Sequence, residues 1–165
     1  MGNTQSPPIV VLVLGLTNVG KTHFLDRLVY QSDTTKLPTI GFYQISTQYR
    51  GQTIDFVEYG GDIPWSMEFH KSFDHVIMIV DANYSKNQLR EAKSALAMAL
   101  TKLPNNIPLT YVIKGNNNEE CVSAALQMQE MGRQRKVAQQ WIEKKSWEEG
   151  TSTLLEWIVK QQLND

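Results

Sequence analysis

Apolar positions along the 165-residue chain change their spacing several times, and each change marks an element. Ile9 to Leu14 is an unbroken β-branched and leucine run bounded by Pro8 and Gly15, which predicts a strand buried on both faces. From Gly20 to Tyr30 the spacing turns helical, with Phe24, Leu25, Leu28 and Val29 on one side. Phe42 to Tyr49 and Thr53 to Tyr59, joined around Arg50-Gly51-Gln52, predict an antiparallel hairpin. Val76 to Val80, ending at Asp81, is a second all-apolar strand, and Lys86 to Leu103 follows as a helix with Leu89, Ala92, Leu96 and Leu100 inward. Leu109 to Ile113 predicts a fifth strand, and Glu119 to Met131 a helix with Val122, Ala125, Leu126 and Met128 inward. Val137 to Ile142 predicts the last strand. The closing helix, Thr151 to Leu163, docks through Leu154, Leu155, Ile158 and Val159, with Trp157 at its margin. Met98, Met128, Met131 and the four tryptophans read as packing residues.

Strands alternating with helices imply an α/β fold: a doubly wound, mostly parallel six-stranded sheet, helices on both faces, its ligand site at the carboxyl ends of the strands. Nothing resembling a repeat or a linker divides the chain, so residues 1–8 read as a short N-terminal segment and 9–165 as one domain.

Composition narrows the function classes. With 41% hydrophobic and 20% charged residues the chain can bury a sizeable core, which excludes a disordered or disulfide-built protein. A net charge of -1 provides no general attraction for nucleic acid or acidic lipid, so an anionic ligand needs a local site. Cys121 has no partner for a disulfide and reads as a reduced thiol. The longest apolar run has six residues, far short of the roughly 20 that a bilayer requires. Met1 to Gly20 holds no charge and therefore lacks the basic start of a secretory signal; the cytoplasm is the expected compartment.

Directly after the first strand stands Gly15-Leu16-Thr17-Asn18-Val19-Gly20-Lys21-Thr22, a complete G-x-x-x-x-G-K-[ST] phosphate loop between a strand and a helix. Its glycines let the loop wrap closely, so that backbone N–H groups from Asn18 through Val19 and Gly20 to Thr22 point at a β-phosphate beside a helix N-terminus. Lys21 would bridge β- and γ-phosphates, and the Thr22 hydroxyl would face Mg²⁺. A small kinase shares this loop, but Arg90, Arg133 and Arg135 do not assemble into the arginine-bearing lid it needs. No nucleophile triad forms around the histidines: His23 faces out of its helix, and His70 and His75 read as solvated or core-edge residues.

Leu37-Pro38-Thr39-Ile40-Gly41-Phe42 before the second strand and Glu58-Tyr59-Gly60-Gly61 after the third give the chain a spacing that resembles the Arf (ADP-ribosylation factor-like) branch of small GTPases. The resemblance covers nearly the whole chain, including Leu155-Glu156-Trp157-Ile158 near its end. It implies binding of GTP/GDP with Mg²⁺, Thr39 adding a hydroxyl to the metal, and Gly61 giving its N–H to the γ-phosphate, so that two segments close only on a triphosphate. It also implies protein effectors and an exchange factor as partners. Phe42 and Phe69 would face the effectors, while Val57 replaces the third aromatic of the family's surface.

Four departures from the family stand out. Glu58 replaces an aspartate, and its longer arm can still hold a Mg²⁺-bound water. Asp62-Ile63-Pro64 follows Gly61 in a segment about three residues shorter than the family's, so no glutamine orients the attacking water; Asp62 is a weak substitute, and hydrolysis should be very slow or absent. The base-reading N-K-x-D appears as Ile113-Lys114-Gly115-Asn116: Lys114 can lie along a purine, Ile113 removes a tie to the phosphate loop, and Asn116 pairs less well than a carboxylate with guanine and better with xanthine. Finally, only Pro7 and Pro8 separate Ser6 from the first strand, leaving no room for the family's N-terminal amphipathic helix. Met1-Gly2-Asn3-Thr4-Gln5-Ser6 nonetheless fits N-myristoylation at Gly2, which with no polybasic stretch after it would give weak, transient membrane association. Two functions compete: a divergent Arf-like GTP-binding switch, and a pseudo-GTPase adaptor that keeps the fold without cycling.

Overall fold

A computed structural model of the chain describes residues 6–30, 41–60, 71–115, 122, 126, 137–142 and 147–162. They form β1 (Ile9–Leu14), α1 (Lys21–Tyr30), β2 (Phe42–Tyr49), β3 (Gln52–Tyr59), β4 (His75–Asp81), α2 (Lys86–Leu100), β5 (Leu109–Lys114), β6 (Val137–Ile142) and α3 (Trp147–Gln162). One six-stranded sheet orders them β2-β3-β1-β4-β5-β6, parallel throughout except for the β2–β3 hairpin. The doubly wound sheet predicted above is therefore present.

β1 can sit at the centre because both of its faces are apolar. Leu12 and Leu14 point into a cluster with Met78, Val80, Tyr111 and Leu96 of α2, while Val11 and Val13 point into another with Ile79, Phe24 and Leu25 of α1 and Leu154 and Ile158 of α3. Helices thus cover both faces. β3 lies on one side of β1 and β4 on the other. The turn after β1 consequently opens where the connections diverge, outside the carboxyl ends of the strands, the place where such sheets hold ligands.

α2 starts where Ser85 caps it: its hydroxyl accepts from Gln88 N at 3.3 Å, and Gln88 Oε1 accepts from Ser85 N at 2.9 Å. It ends at Leu100, three residues before the expected Leu103, as the Thr101 hydroxyl turns back to donate to Met98 O at 2.7 Å. Leu103 still reaches the core through a single tight turn. α3 begins at Trp147, four residues before the expected Thr151, because Gly150 does not interrupt it; a glycine inside a helix costs only about 1 kcal/mol. The predicted helix Glu119–Met131 falls outside the described residues except for Val122 and Leu126, both buried, with Leu126 N donating to Val122 O at 2.9 Å.

Two expectations about packing are corrected. Met98 is 47% exposed, since α2 turns Leu89, Ala92, Leu96 and Ala99 inward and leaves position 98 on the outer side. His75 is not at the core edge: β4 starts one residue earlier than predicted, and His75 is fully buried opposite Val11, its Nε2 sharing a 2.8 Å hydrogen bond with Thr110 Oγ1. Burial pushes its pKa down to about 3, which keeps the ring neutral. Its Nδ1 has no hydrogen-bond partner among the described residues.

Thr110→Val should therefore cost about 1–3 kcal/mol in urea unfolding by stranding the ring nitrogen, and His75→Leu combined with Thr110→Val should recover most of that loss. The unfolded chain takes up the histidine proton near pH 6.5 and the folded chain only near pH 3, so stability falls as pH falls through that window. In His75→Leu this part of the acid slope, at most about 1.4 kcal/mol per pH unit, disappears.

Candidate functional site

The turn between β1 and α1 is built around a buried ammonium. Lys21 is the first residue of α1, and its Nζ donates to the carbonyl oxygens of Gly15 at 3.1 Å and Leu16 at 3.2 Å, so the loop curls around its own lysine. Val19 N donates back to Leu16 O at 3.2 Å, and Asn18 and Gly20 turn the chain with φ of 63° and 88°. Asparagine and glycine are the residues that tolerate this left-handed backbone. Gly15 is required for a different reason: a Cβ there would lie 2.9 Å from the Ile79 carbonyl oxygen of β4 and 2.8 Å from Val19 Cγ1. Glycine lets the loop seat directly on the neighbouring strand.

Burial lowers the Lys21 pKa from its ordinary value, and the negative charge of Glu58 partly restores it. Glu58, buried, is the last residue but one of β3, and its Oε2 accepts from the Thr22 hydroxyl at 2.7 Å. The extra methylene of glutamate, relative to the family's aspartate, therefore still places a carboxylate on the phosphate-loop threonine. Lysine, threonine hydroxyl and carboxylate converge at the N-terminus of α1, whose first N–H groups have no acceptor within the helix. Such a donor set suits a phosphate held against a hydrated divalent cation.

Lys114, at the end of β5, spans the loop: its Nζ donates to Val19 O at 2.7 Å. A Cβ on Gly20 would come within 2.9 Å of that nitrogen. Ile113 is wholly buried in the core and brings no polar group to the phosphate loop, while the lysine next to it donates to Val19 O. β4 joins the same corner through Ala82 N donating to Lys114 O at 2.8 Å.

Gly15, Asn18, Val19, Gly20, Lys21, Thr22, Glu58 and Lys114 are thus brought together. Gly2, Thr39, Gly61, Asp62, Phe69 and Asn116 lie outside the described residues. Phe42 is 64% exposed beside Tyr59, with ring centroids 6.5 Å apart, whereas Val57, at the third position of the expected aromatic surface, is 1% exposed and belongs to the core. His23 faces solvent as expected. One contact of the site's frame belongs to no sequence motif: Tyr43 Oη donates to Asp26 Oδ1 at 2.7 Å, joining β2 to a carboxylate buried on α1. The signal available was an aspartate set between Leu25 and Leu28 on the apolar side of the helix.

A model of the ADP-ribosylation factor (Arf) family matches residues 3–162. The chain belongs to the Arf family. This Arf-family chain is 28% identical over 137 residues to human ADP-ribosylation factor-like protein 9, covering 77% of this chain and 72% of that protein. It is 26% identical over 125 residues to human ADP-ribosylation factor-like protein 15, covering 73% of this chain and 60% of that one, so it spans about three-fifths of the latter's length. Among solved structures, the Arl6 BBS3 small GTPase of Trypanosoma brucei, with bound nucleotide analogue GppNp, superposes with a TM-score of 0.71 at 17% identity, over 94% of this chain and 99% of that one. At that identity the likeness is one of fold.

Gly15→Ala tests the seating of the loop. The new methyl meets a backbone oxygen that cannot swing aside, so stability should drop by about 1–3 kcal/mol in thermal or urea unfolding. An unchanged midpoint would mean that the loop does not rest on Ile79.

Proposed function

We propose that the chain is a divergent Arf-like nucleotide switch that binds GTP and GDP with Mg²⁺ and recruits protein effectors. The observation that carries this reading is the 2.7 Å hydrogen bond from Thr22 to Glu58 beside the buried Lys21, inside a loop that only glycine at position 15 allows. When bound, Mg²⁺ would supply positive charge to the phosphates. Loop N–H groups and Lys21 would bind the phosphates, Thr22 and Thr39 would hold the metal through their hydroxyls, and Glu58, which accepts from the Thr22 hydroxyl, would orient that hydroxyl. Gly61 donates to the γ-phosphate. Lys114 backs the loop while its aliphatic stem lies along the base, and Asn116 reads the base edge.

Phe42, already exposed at the start of β2, and Phe69 face the effector. With Asp62 after Gly61 in place of a water-orienting glutamine, hydrolysis is slower than the order of 10⁻⁴ per second typical of the intrinsic reaction. An exchange factor then sets the cycle. In this reading residues 9–165 form one cytoplasmic domain, and Gly2 carries a myristoyl group that holds it transiently at membranes. Among the described residues no helix is long and apolar enough to cross a membrane.

A second reading, a pseudo-GTPase adaptor, is favoured by the burial of Ile113, which leaves the base-reading segment without its usual polar side chain.

Nucleotide released on denaturation, followed by titration of the stripped chain with GTP, GDP, XTP and ATP with and without Mg²⁺, separates the two. The switch reading expects Mg²⁺-dependent binding of a guanine or xanthine nucleotide with little competition from ATP, weakened on the order of 10- to 100-fold by Lys21→Ala. Failure of all four to bind leaves the adaptor.

A further inference from the structure

The hydrogen bond from Tyr43 to Asp26 is tied at both of its ends to the hydrogen bond from Thr22 to Glu58. On α1, Thr22 and Asp26 are four residues apart, so their side chains stand one turn from each other on one side of the helix. On the hairpin, Tyr43 lies directly opposite Glu58. Gly60 N donates to Gly41 O at 2.7 Å while Phe42 faces Tyr59, which puts Tyr43 and Glu58 among the pairs that exchange main-chain hydrogen bonds. Residues paired in this way project their side chains from the same face of the sheet, here the face that α1 covers. Two rungs of equal length therefore join α1 to the hairpin: Thr22 Oγ1 to Glu58 Oε2 at 2.7 Å, and Tyr43 Oη to Asp26 Oδ1 at 2.7 Å.

The rungs run in opposite senses, since α1 donates in the first and accepts in the second. Both acceptors are buried carboxylates, Asp26 at 1% exposure and Glu58 at 3%. A buried carboxylate that loses its donor has no water to turn to, so each rung resists being pulled apart. The Tyr43 ring, half-buried, packs against the cluster that holds Phe24 and Leu25 of α1, which keeps its hydroxyl aimed at the helix. Sliding the hairpin along α1 would break both bonds together. The height at which the hairpin sits on the helix is thus fixed by the pair, one rung at the phosphate loop and one a turn further along.

We propose that Tyr43 and Asp26 are positioning residues whose bond holds Glu58 on the phosphate-loop threonine. They act through Glu58, and the proposal rests on the switch reading only for what Thr22 then binds. Where Thr22 holds Mg²⁺ beside a nucleotide, the second rung keeps the carboxylate that orients its hydroxyl in place. The loop N–H groups and Lys21 do not depend on it, so the Tyr43–Asp26 bond should matter to nucleotide binding with the metal and not without it.

A double-mutant cycle in urea unfolding, which requires no nucleotide, tests the positioning first. Thr22→Val removes one rung and Tyr43→Phe the other, and each keeps the shape of the side chain. If the second rung positions the first, the double variant loses less than the two single losses combined, by about 5-fold or more in the folding equilibrium constant. Release of a fluorescently labelled GDP, followed in Mg²⁺ and in EDTA, tests it at the site. Tyr43→Phe should speed release about 10-fold in Mg²⁺ and leave the rate in EDTA unchanged, whereas a merely loosened fold would speed both. Additive losses in the urea cycle, or release altered equally in Mg²⁺ and EDTA, overturn the proposal. A wild-type chain that binds no nucleotide overturns the switch reading instead, and the urea cycle alone then decides the positioning role.

Discussion

Burial of the Lys21 ammonium at the end of a strand that is itself buried on both faces is the constraint from which the site follows. An ammonium removed from water needs acceptors, and here they are the Gly15 and Leu16 carbonyls of the loop that precedes it. Reaching both forces the loop to curl, which in turn requires left-handed backbone at Asn18 and Gly20 and leaves no space for a side chain at Gly15. The two carbonyls are neutral, so among the described residues the positive charge is offset by the nearby carboxylate of Glu58. Folding and ligand chemistry thus draw on the same group.

The sheet makes such a site possible by supplying neighbours from sequence-distant strands. β1 brings the loop, β3 brings Glu58, and β5 brings Lys114, all at their carboxyl ends. Substitution of Ile at 113 alters one of these contributions without detaching the corner, because the 2.7 Å bond from Lys114 to Val19 O still joins β5 to the loop.

The hairpin of β2 and β3 is fastened at both ends. At the site end, Gly60 N bonds Gly41 O, and Tyr43 reaches Asp26 on α1. At the far end, Gln52 Nε2 donates to Pro7 O at 2.8 Å, and Arg50 and Lys160 flank Glu156 at 3.6 and 3.0 Å. The Lys160 hydrogen bond and the two cations hold the Glu156 carboxyl below its usual range, but exposed pairs of this kind add little to stability. The near end, with its half-buried and buried partners, sets the orientation of β2.

Apolar spacing by itself determined the strands, their burial and the two-faced sheet, since a run such as Ile9–Leu14 has no polar face to expose. The phosphate loop was equally legible, because its function demands small residues and a lysine at fixed spacing. Helix ends were less so: Thr101 stops α2 early and Gly150 fails to interrupt α3, choices made by local hydrogen bonds and by packing of the following residues. Side-chain partnerships across the sheet could not be read from the chain at all. That His75 is neutral and buried against Thr110, that Val57 lies in the core, that Glu58 reaches Thr22 and that Lys114 reaches Val19 O depend on which strands become neighbours and in what register. Sequence sets the period of burial over a few residues; only the tertiary structure decides which polar groups meet once water is excluded between strands far apart in the chain.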